Sequence, residues 1–239
     1  MVLGRIIQAR RVGTARIVVC LGMGCVMHSE GILETRPALT MAGLLRPVAT
    51  WRARLCAGAL VLVGSFLIGL AAQWAIPLPW VPVTGQTFAV LLVGALLGAR
   101  LGPAAVVAYL VEGAAGLPVF GQGKGGLAVL LGPTGGYLVG FVAAAHVVGL
   151  LAQRGWDRRF HTTMAAMILG DAVIYVFGLA WLSVVSGMDA QGLLRLGLYP
   201  FIPGDLAKAC LAAVLLPSAW GIVSRFRRHD PHDSGGGLP

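Results

Sequence analysis

The chain has 239 residues, of which 57% are hydrophobic and only 11% are charged, and its mean hydropathy is +0.84. Soluble domains carry roughly 25% charged residues, so this chain has too few charges to cover a water-exposed surface and is too apolar to be disordered. The composition indicates an integral membrane protein with roughly six or seven helices of about 20 residues each. The net charge of +9 indicates no nucleic-acid partner, because the arginines flank apolar runs instead of forming a basic face.

The first 45 residues differ from the rest of the chain. Several arginines precede an apolar run, residues 17–27, which is too short to cross a membrane and is followed by no signal-peptidase pattern. We interpret residues 1–45 as an N-terminal extension that is either disordered or the result of a start codon placed too far upstream. The glycine-rich residues 229–239 are interpreted as a disordered C-terminal tail.

Residues 46–228 contain six apolar segments and predict an all-α domain of six transmembrane helices. In chain order the predicted spans are residues 55–76, 85–99, 101–119, 134–151, 160–185 and 204–223. The apolar run 127–131 is too short to cross a bilayer and is interpreted as a re-entrant or interfacial turn.

The basic residues sort to one side of the six predicted spans. With six spans, both termini and the loops after spans two and four share a side that carries ten arginines, whereas the other side carries Lys124 and Arg195. This bias predicts that both termini are cytoplasmic. The ten arginines are Arg46, Arg52, Arg54, Arg100, Arg154, Arg158, Arg159, Arg225, Arg227 and Arg228.

The three loops predicted on the outer side are rich in proline and glycine, at residues 77–87, 118–137 and 199–205. Irregular backbone at membrane depth is tolerated where protein buries it or where it lines a cavity. These outer loops therefore predict a ligand pocket. Residues 132–136 lack the Lys-Ser/Thr pair of a phosphate-binding loop, so a helix-start turn and a ligand-contact loop remain as interpretations.

A few ionisable residues lie inside the predicted spans. Asp205 and Lys208 are spaced i, i+3 and share a helix face, which leaves a structural ion pair and a ligand role as alternatives. Asp171 is interpreted as making a helix-packing hydrogen bond, and Glu112 and His146 as packing residues. Neither the histidines nor the cysteines have metal-ligand spacing, so no metal site is predicted.

Four motifs link the outer loops to the helices that follow them. They are Pro-Val-Thr-Gly-Gln-Thr-Phe at 82–88, Gly-Leu-Pro-Val-Phe at 116–120, Gly-Pro-Thr-Gly-Gly-Tyr-Leu at 132–138 and Pro-Phe-Ile-Pro-Gly-Asp-Leu-Ala-Lys at 200–208. Their sequence, order and spacing resemble the BioY family, the biotin-specific substrate-binding (S) component of energy-coupling factor (ECF) transporters. The resemblance covers roughly residues 55–223.

The resemblance implies a six-helix protein of the bacterial cytoplasmic membrane that captures biotin from outside and is not itself an enzyme. It implies no cofactor. The implied partners are a transmembrane coupling protein and two ABC-type ATPase subunits. Ala53 and Ala57, four residues apart on span one, lie where the family has its coupling surface, and small residues at this spacing allow a second helix to approach closely.

The same resemblance implies which residues bind the ligand. Lys208 is expected to be the counter-ion of the biotin carboxylate, with Asp205 beside it, while Tyr137 lines or hydrogen-bonds the ring region. The remaining implied ligand residues are Thr84 and Gln86 in the lid, Lys124 in the second outer loop and Thr134 in the glycine-rich motif.

Other functions were weighed against biotin capture. An S component for another vitamin stays open, whereas nickel or cobalt versions need a histidine cluster that this chain lacks. A purely structural membrane subunit would not require charged residues in its outer loops. An intramembrane aspartyl protease could use Asp171 and Asp205, each preceded by glycine, but the full Gly-x-Gly-Asp pattern is missing and Lys208 would prevent the carboxylates from sharing a proton.

Overall fold

In a computed structural model, residues 19–20, 25–26, 40 and 50–228 are described. The chain divides into two compact units, Met1–Pro37 and Ala38–Pro239. In the first unit, strands β1 (Val19–Cys20) and β2 (Cys25–Val26) form an antiparallel pair. The predicted extension 1–45 and tail 229–239 fall almost entirely outside the described residues, so the division into these segments stays a prediction.

The second unit is mostly helical. Five of its helices are long and apolar enough to cross a membrane among the residues described: α1, α2, α4, α5 and α7. Its elements in chain order are α1 (Thr50–Ala72), β3 (Ala75–Ile76), β4 (Val83–Thr84), α2 (Gln86–Ala114), α3 (Leu127–Leu131), α4 (Gly135–Gln153), α5 (Phe160–Ser186), α6 (Ala190–Gly197) and α7 (Ile202–Arg228).

Helix α2 contains the predicted spans two and three, and it is interrupted at Gly98. This residue has φ 82° and ψ 179°, a backbone conformation open to glycine because it has no Cβ. A straight helix would separate Gly94 from Gly102 by about 12 Å, yet a Cβ on Gly102 would lie only 2.9 Å from the Gly94 Cα. The segments 86–97 and 99–114 therefore fold back against each other as a hairpin.

The core lies where α4 packs between the α2 hairpin and α5. Close approach depends on small residues: a Cβ on Gly94 would lie 2.9 Å from the Ala145 Cα, and one on Gly140 would lie 3.2 Å from the Ile174 Cα. Helix α4 is the most buried of the five long helices, whereas α1, α5 and α7 leave most of their apolar surface exposed. Such exposed apolar faces fit lipid-facing helices.

The structure departs from the predicted segments at several ends. Helix α1 ends at Ala72, before the predicted end of span one, because residues 75–76 pair with 83–84 as a two-stranded hairpin; Pro77 also disfavours helical backbone at Ile76. The run 127–131 forms the short helix α3. Helix α6 was not predicted; it is a single amphipathic segment whose first turn is capped by Asp189, which accepts from the Gly192 amide over 3.1 Å.

Candidate ligand-binding site

Two adjoining cavities open at the end of the helical unit where the α1–α2 and α2–α4 connections meet the start of α7. The larger cavity has a volume of about 320 Å³ and the smaller one about 50 Å³. All seven residues predicted to bind the ligand line one or both of them. Gln86, Lys124 and Thr134 line the larger cavity, and Thr84, Gln86, Thr134, Tyr137, Asp205 and Lys208 line the smaller.

An ion pair at the start of α7 is the most polar part of the site. Lys208 Nζ lies 2.9 Å from Asp205 Oδ1, and the Asp205 side chain is only 6% exposed. The ammonium also donates to the Thr84 carbonyl over 2.7 Å and to Thr87 Oγ1 over 2.9 Å. A lysine has three N–H donors, so each has an internal partner. The structural ion pair that the sequence left open is therefore present.

Asp205 is held by two further donors that the sequence did not single out. Thr87 Oγ1 donates to Asp205 Oδ1 over 3.0 Å, and the Tyr175 hydroxyl donates to Oδ2. Thr87 lies within the 82–88 motif, but Tyr175 belongs to no motif; its only signal is a polar aromatic residue within the apolar fifth span. These donors come from α2 and α5, so the carboxylate joins three helices.

Thr84 and Gln86, which line the smaller cavity, begin a second chain of hydrogen bonds that leads from the cavity into the α2 hairpin. Both side chains are buried, and Thr84 Oγ1 donates to Gln86 Oε1 over 2.9 Å. Gln86 Nε2 in turn donates to the hydroxyl of Tyr109, which is fully buried on the second half of α2. The amide of Gln86 is thereby fixed by neighbours on both of its sides, which holds the end of β4 against the hairpin.

Tyr137 and Thr134 also make internal hydrogen bonds. The Tyr137 hydroxyl donates to the Gly197 carbonyl over 2.8 Å, which ties α6 to the start of α4. Thr134 Oγ1 donates to the Val129 carbonyl over 3.3 Å. Because its hydroxyl is already bonded, Tyr137 can contact a ligand in the cavity mainly through its aromatic ring. The glycine-rich motif forms a helix-start turn and also lines both cavities.

Lys124 differs from Lys208 because its ammonium has no hydrogen-bond or ion-pair partner in the described part of the chain. It is exposed at the larger cavity. Its backbone is fixed, since its carbonyl accepts from the Phe120 amide over 2.9 Å. The site thus presents one lysine that is internally satisfied and one that is available.

Three other residues considered in the sequence analysis line neither cavity. Asp171 is buried, but its carboxylate makes no hydrogen bond with a described residue, so the predicted packing hydrogen bond is wrong. Glu112 accepts from Ser65 Oγ over 2.6 Å and joins α2 to α1, and His146 Nδ1 lies 2.9 Å from the Ala99 carbonyl beside the hairpin turn. The latter two are packing residues, as predicted.

The protease and metal interpretations find no support in this geometry. The hydrogen bonds of Asp205 go to Thr87, Tyr175 and Lys208, and none joins its carboxylate to that of Asp171. Shared-proton chemistry needs two carboxylates in direct contact. Across residues 50–228 no group of three His, Cys, Asp or Glu side chains is arranged to hold a metal ion.

The walls of the two cavities combine aromatic and aliphatic side chains with a few fixed polar groups. This is the usual character of small-molecule sites, which measure roughly 300–1,000 Å³. Comparison with known proteins agrees with it: the sequence model of the BioY family matches residues 46–225. The chain belongs to the BioY family.

Individual BioY proteins are similar over most of their length. The biotin transporter BioY of Thermotoga maritima is 41% identical over 158 residues, 65% of this chain and 92% of that protein. The biotin transporter BioY of Rhizobium etli is 42% identical over 142 residues, 56% of this chain and 75% of that protein. BioY proteins are transporter components and not enzymes.

A solved structure shares the fold. The crystal structure of the S-component for biotin from an ECF-type ABC transporter superposes with a TM-score of 0.64 at 27% sequence identity. The match covers 76% of this chain and 96% of that one. The helical unit described here therefore has the fold of a BioY membrane protein.

Proposed function

We propose that this protein captures biotin and takes it up across the cytoplasmic membrane as the S component of an ECF-type ABC transporter. The observation that carries the proposal is the convergence of seven residues, spread over residues 84–208, on two adjoining cavities in a BioY chain. Biotin has a rigid bicyclic head with a polar urea and a flexible chain that ends in a carboxylate. Such a ligand needs apolar walls, a hydrogen-bonding group for the urea and a cation.

Asp205 is the group we assign to the urea. Its carboxylate is buried and accepts from three internal donors, and carboxylates have about four lone-pair sites, so it retains capacity to accept from a urea N–H. Donors from Thr87, Tyr175 and Lys208 hold it in place before the ligand arrives. A preorganised acceptor raises affinity because less ordering occurs on binding.

Lys124 is the group we assign to the carboxylate, in place of Lys208. Binding of the carboxylate by Lys208 would break one of its three internal hydrogen bonds, with Thr84, Thr87 or Asp205. Lys124 has no such partner among the described residues and lines the larger cavity. The head would then lie at the boundary between the cavities, beside Gln86 and Thr134, with the chain directed towards Lys124.

We further propose that the BioY domain crosses the membrane six times, with the α2 hairpin contributing two crossings. The halves 86–97 and 99–114 measure about 18 Å and 24 Å, shorter than the roughly 30 Å hydrocarbon core. The exposed Arg100 follows the turn of the hairpin. If the turn lies within the bilayer, the long side chain of Arg100 can extend its charge to the membrane–water interface. With six crossings, the arginine bias predicts that both ends of the domain and the arginine-rich loops are cytoplasmic.

Cysteine accessibility tests this orientation in cells, on a background without Cys20, Cys25, Cys56 and Cys210. Lys124→Cys and Arg195→Cys should react with an impermeant maleimide in intact cells. Arg100→Cys and Arg154→Cys should react only after permeabilisation. Labelling of Arg100→Cys in intact cells would overturn the six-crossing arrangement.

The transmembrane coupling protein and the two ABC-type ATPases are proposed as partners at α1. Ala53 and Ala57 are only half-buried within this chain, and α1 packs chiefly on α2. Small side chains on an otherwise lipid-exposed helix leave room for a second helix. These two residues are therefore the proposed contact for coupling to ATP hydrolysis.

Equilibrium binding of labelled biotin to the purified protein tests the function. We expect tight binding that is lost in Asp205→Asn, with Asp189→Asn as the matched control, because asparagine at that exposed position can still cap α6. Wild-type binding weaker than about 1 μM would exclude a high-affinity biotin component. Competition by unlabelled vitamins separates biotin from the alternative, an S component for another vitamin, in which case a different vitamin would displace the label at lower concentration than biotin.

A further inference from the structure

Gln73, just beyond the end of α1, lies among four backbone carbonyls. Its side-chain nitrogen donates to the Gly69 carbonyl over 3.0 Å and lies 3.4 Å from the carbonyl oxygens of three successive residues, 118–120. A side-chain amide has two N–H donors, so one bonds its own helix and the other faces the carbonyls of the α2–α4 connection. Three consecutive carbonyls turned towards one donor indicate that the backbone is folded around it.

The segment held by Gln73 continues directly to Lys124. The Phe120 amide donates to the Lys124 carbonyl over 2.9 Å, and the two residues form an isolated antiparallel bridge. Between them lies a tight turn in which Gln122 has φ 63° and Gly123 has φ 68°. Positive φ at a non-glycine residue is sparsely populated and persists where the surroundings determine it. The position of Lys124 therefore follows that of Phe120.

Phe120 is fixed from the opposite side by its ring. The ring is 1% exposed and meets Tyr109 edge-to-face, with centroids 5.4 Å apart. It also packs directly over Gly113, where a Cβ would overlap the ring. The backbone of residues 118–120 is thus held between an apolar anchor on α2 and the amide of Gln73, just beyond the end of α1.

We infer that Gln73 is a positioning residue that holds Lys124 at the mouth of the larger cavity, and thereby sets the affinity for the anionic end of the ligand. The inference rests on the proposed function, because it assigns the ligand carboxylate to Lys124. Gln73 lines neither cavity, so its effect on binding is expected to pass entirely through residues 118–124.

Binding of two probes to purified protein in nanodiscs tests this. The probes are biotin and biotin methyl ester, which has the same head and no charge. Gln73→Met keeps the length of the side chain and removes the amide, and we expect about a fivefold to tenfold loss of biotin affinity, the size of one hydrogen bond. Affinity for the ester should change less than about twofold, by the same measure. Gln191→Met, the same change at an exposed glutamine of α6, is the control.

A double-mutant cycle separates positioning from a general loss of structure. The double variant Gln73→Met/Lys124→Met should bind biotin as weakly as Lys124→Met alone, because once the ammonium is absent its position no longer affects binding. Equal losses for biotin and its ester, or losses that add in the double variant, would overturn the inference.

Hydrogen exchange gives a reading that does not depend on biotin. In Gln73→Met, amides of residues 117–126 should exchange faster, with the Phe120 amide among them, while those of α4 stay unchanged. If wild-type protein fails to bind biotin, the proposed function fails and exchange alone decides the role of Gln73. Unchanged exchange in residues 117–126 would overturn the positioning role of Gln73.

Discussion

The ammonium of Lys208 donates to the backbone carbonyl of Thr84 over 2.7 Å. This bond ties the second turn of α7 to the end of β4, the residues that close the α1–α2 connection. The same ammonium pairs with Asp205, the proposed acceptor for the biotin head. Lys208 therefore links this acceptor to the α1–α2 connection. Loss of this lysine should therefore affect both.

Lys208→Met should loosen the α1–α2 connection as well as weaken binding. Hydrogen bonds to charged groups contribute about 1.5–3 kcal/mol, so we expect biotin affinity to fall more than about tenfold. Amide exchange in residues 75–85 should rise in the absence of ligand. Lys208→Arg should not restore either property, since a planar guanidinium cannot reproduce the three directions of an ammonium. Lys124→Met should weaken biotin binding without raising exchange in 75–85; equal exchange in both variants would contradict this role.

Tyr175→Phe should weaken biotin binding although the tyrosine belongs to no sequence motif. It removes one donor to Asp205, and we expect about a tenfold loss of affinity, because a hydrogen bond to a charged group is worth about 1.5 kcal/mol or more. Tyr199→Phe, at an exposed tyrosine, is the matched control. Equilibrium biotin binding is the measurement, and equal affinity in the two variants would remove Tyr175 from the site.

Gly94→Ala should destabilise the helical unit. The added methyl would lie 2.8 Å from the Ala145 carbonyl oxygen and 2.9 Å from its Cα, and overpacking of this kind costs about 1–3 kcal/mol. Gly58→Ala is the control, because a Cβ there meets nothing within 4 Å and alanine favours a helix by about 0.5–1 kcal/mol. Thermal unfolding in detergent should show a lower midpoint for the first and an equal or higher one for the second; equal shifts would contradict the close α2–α4 packing.

Asp157, in the connection between α4 and α5, should make stability depend on pH. Burial raises the pKa of its carboxyl group above the ordinary value, although the Trp220 hydrogen bond of 2.5 Å and the charge of Arg158 oppose this. Its Oδ1 is buried without a partner among the described residues.

The sign of this dependence follows from proton binding. The folded state holds the proton more tightly than the unfolded chain does, so the free energy of unfolding falls as pH rises through and above the ordinary range of an aspartate. Asp157→Asn keeps an oxygen that can accept from Trp220 and removes the charge. The thermal unfolding midpoint of this variant should rise relative to that of the wild type as pH increases from about 4 to 7. A constant difference would contradict the prediction, and Asp189→Asn controls for loss of a surface charge.

Ala57→Leu should separate biotin capture from biotin uptake. A larger side chain on α1 would prevent close approach of the proposed coupling helix and weaken that contact by about 1–3 kcal/mol. Both cavities lie at the other end of α1 and should not be affected. We expect unchanged biotin binding and about tenfold slower uptake in cells. Ala59→Leu, at an exposed alanine outside the predicted spacing, is the control. Equal uptake in both variants would exclude Ala57 from coupling.

Much of the site could be predicted because its residues lie in local motifs. Thr84, Gln86, Thr134 and Tyr137 belong to motifs at the starts of helices, and the resemblance of those motifs to the BioY family implied their role. Tyr175 and Gln73 could not be found in the same way. Each acts through a partner in a different part of the chain, Tyr175 through Asp205 on α7 and Gln73 through residues 118–120 of the α2–α4 connection. No sequence period connects such pairs.

The sequence by itself determined the membrane class and the apolar segments, because hydropathy and charge along the chain act locally. Its motifs, through their resemblance to the BioY family, implied the residues that gather at the cavities. Only the tertiary structure decided how those residues are used. It joined two predicted spans into one hairpin at Gly98, engaged all three donors of Lys208 internally and left Lys124 available. Hydrogen-bond partners are chosen by proximity in space, and α7 meets groups of β4 and α2 that lie more than a hundred residues away in the chain.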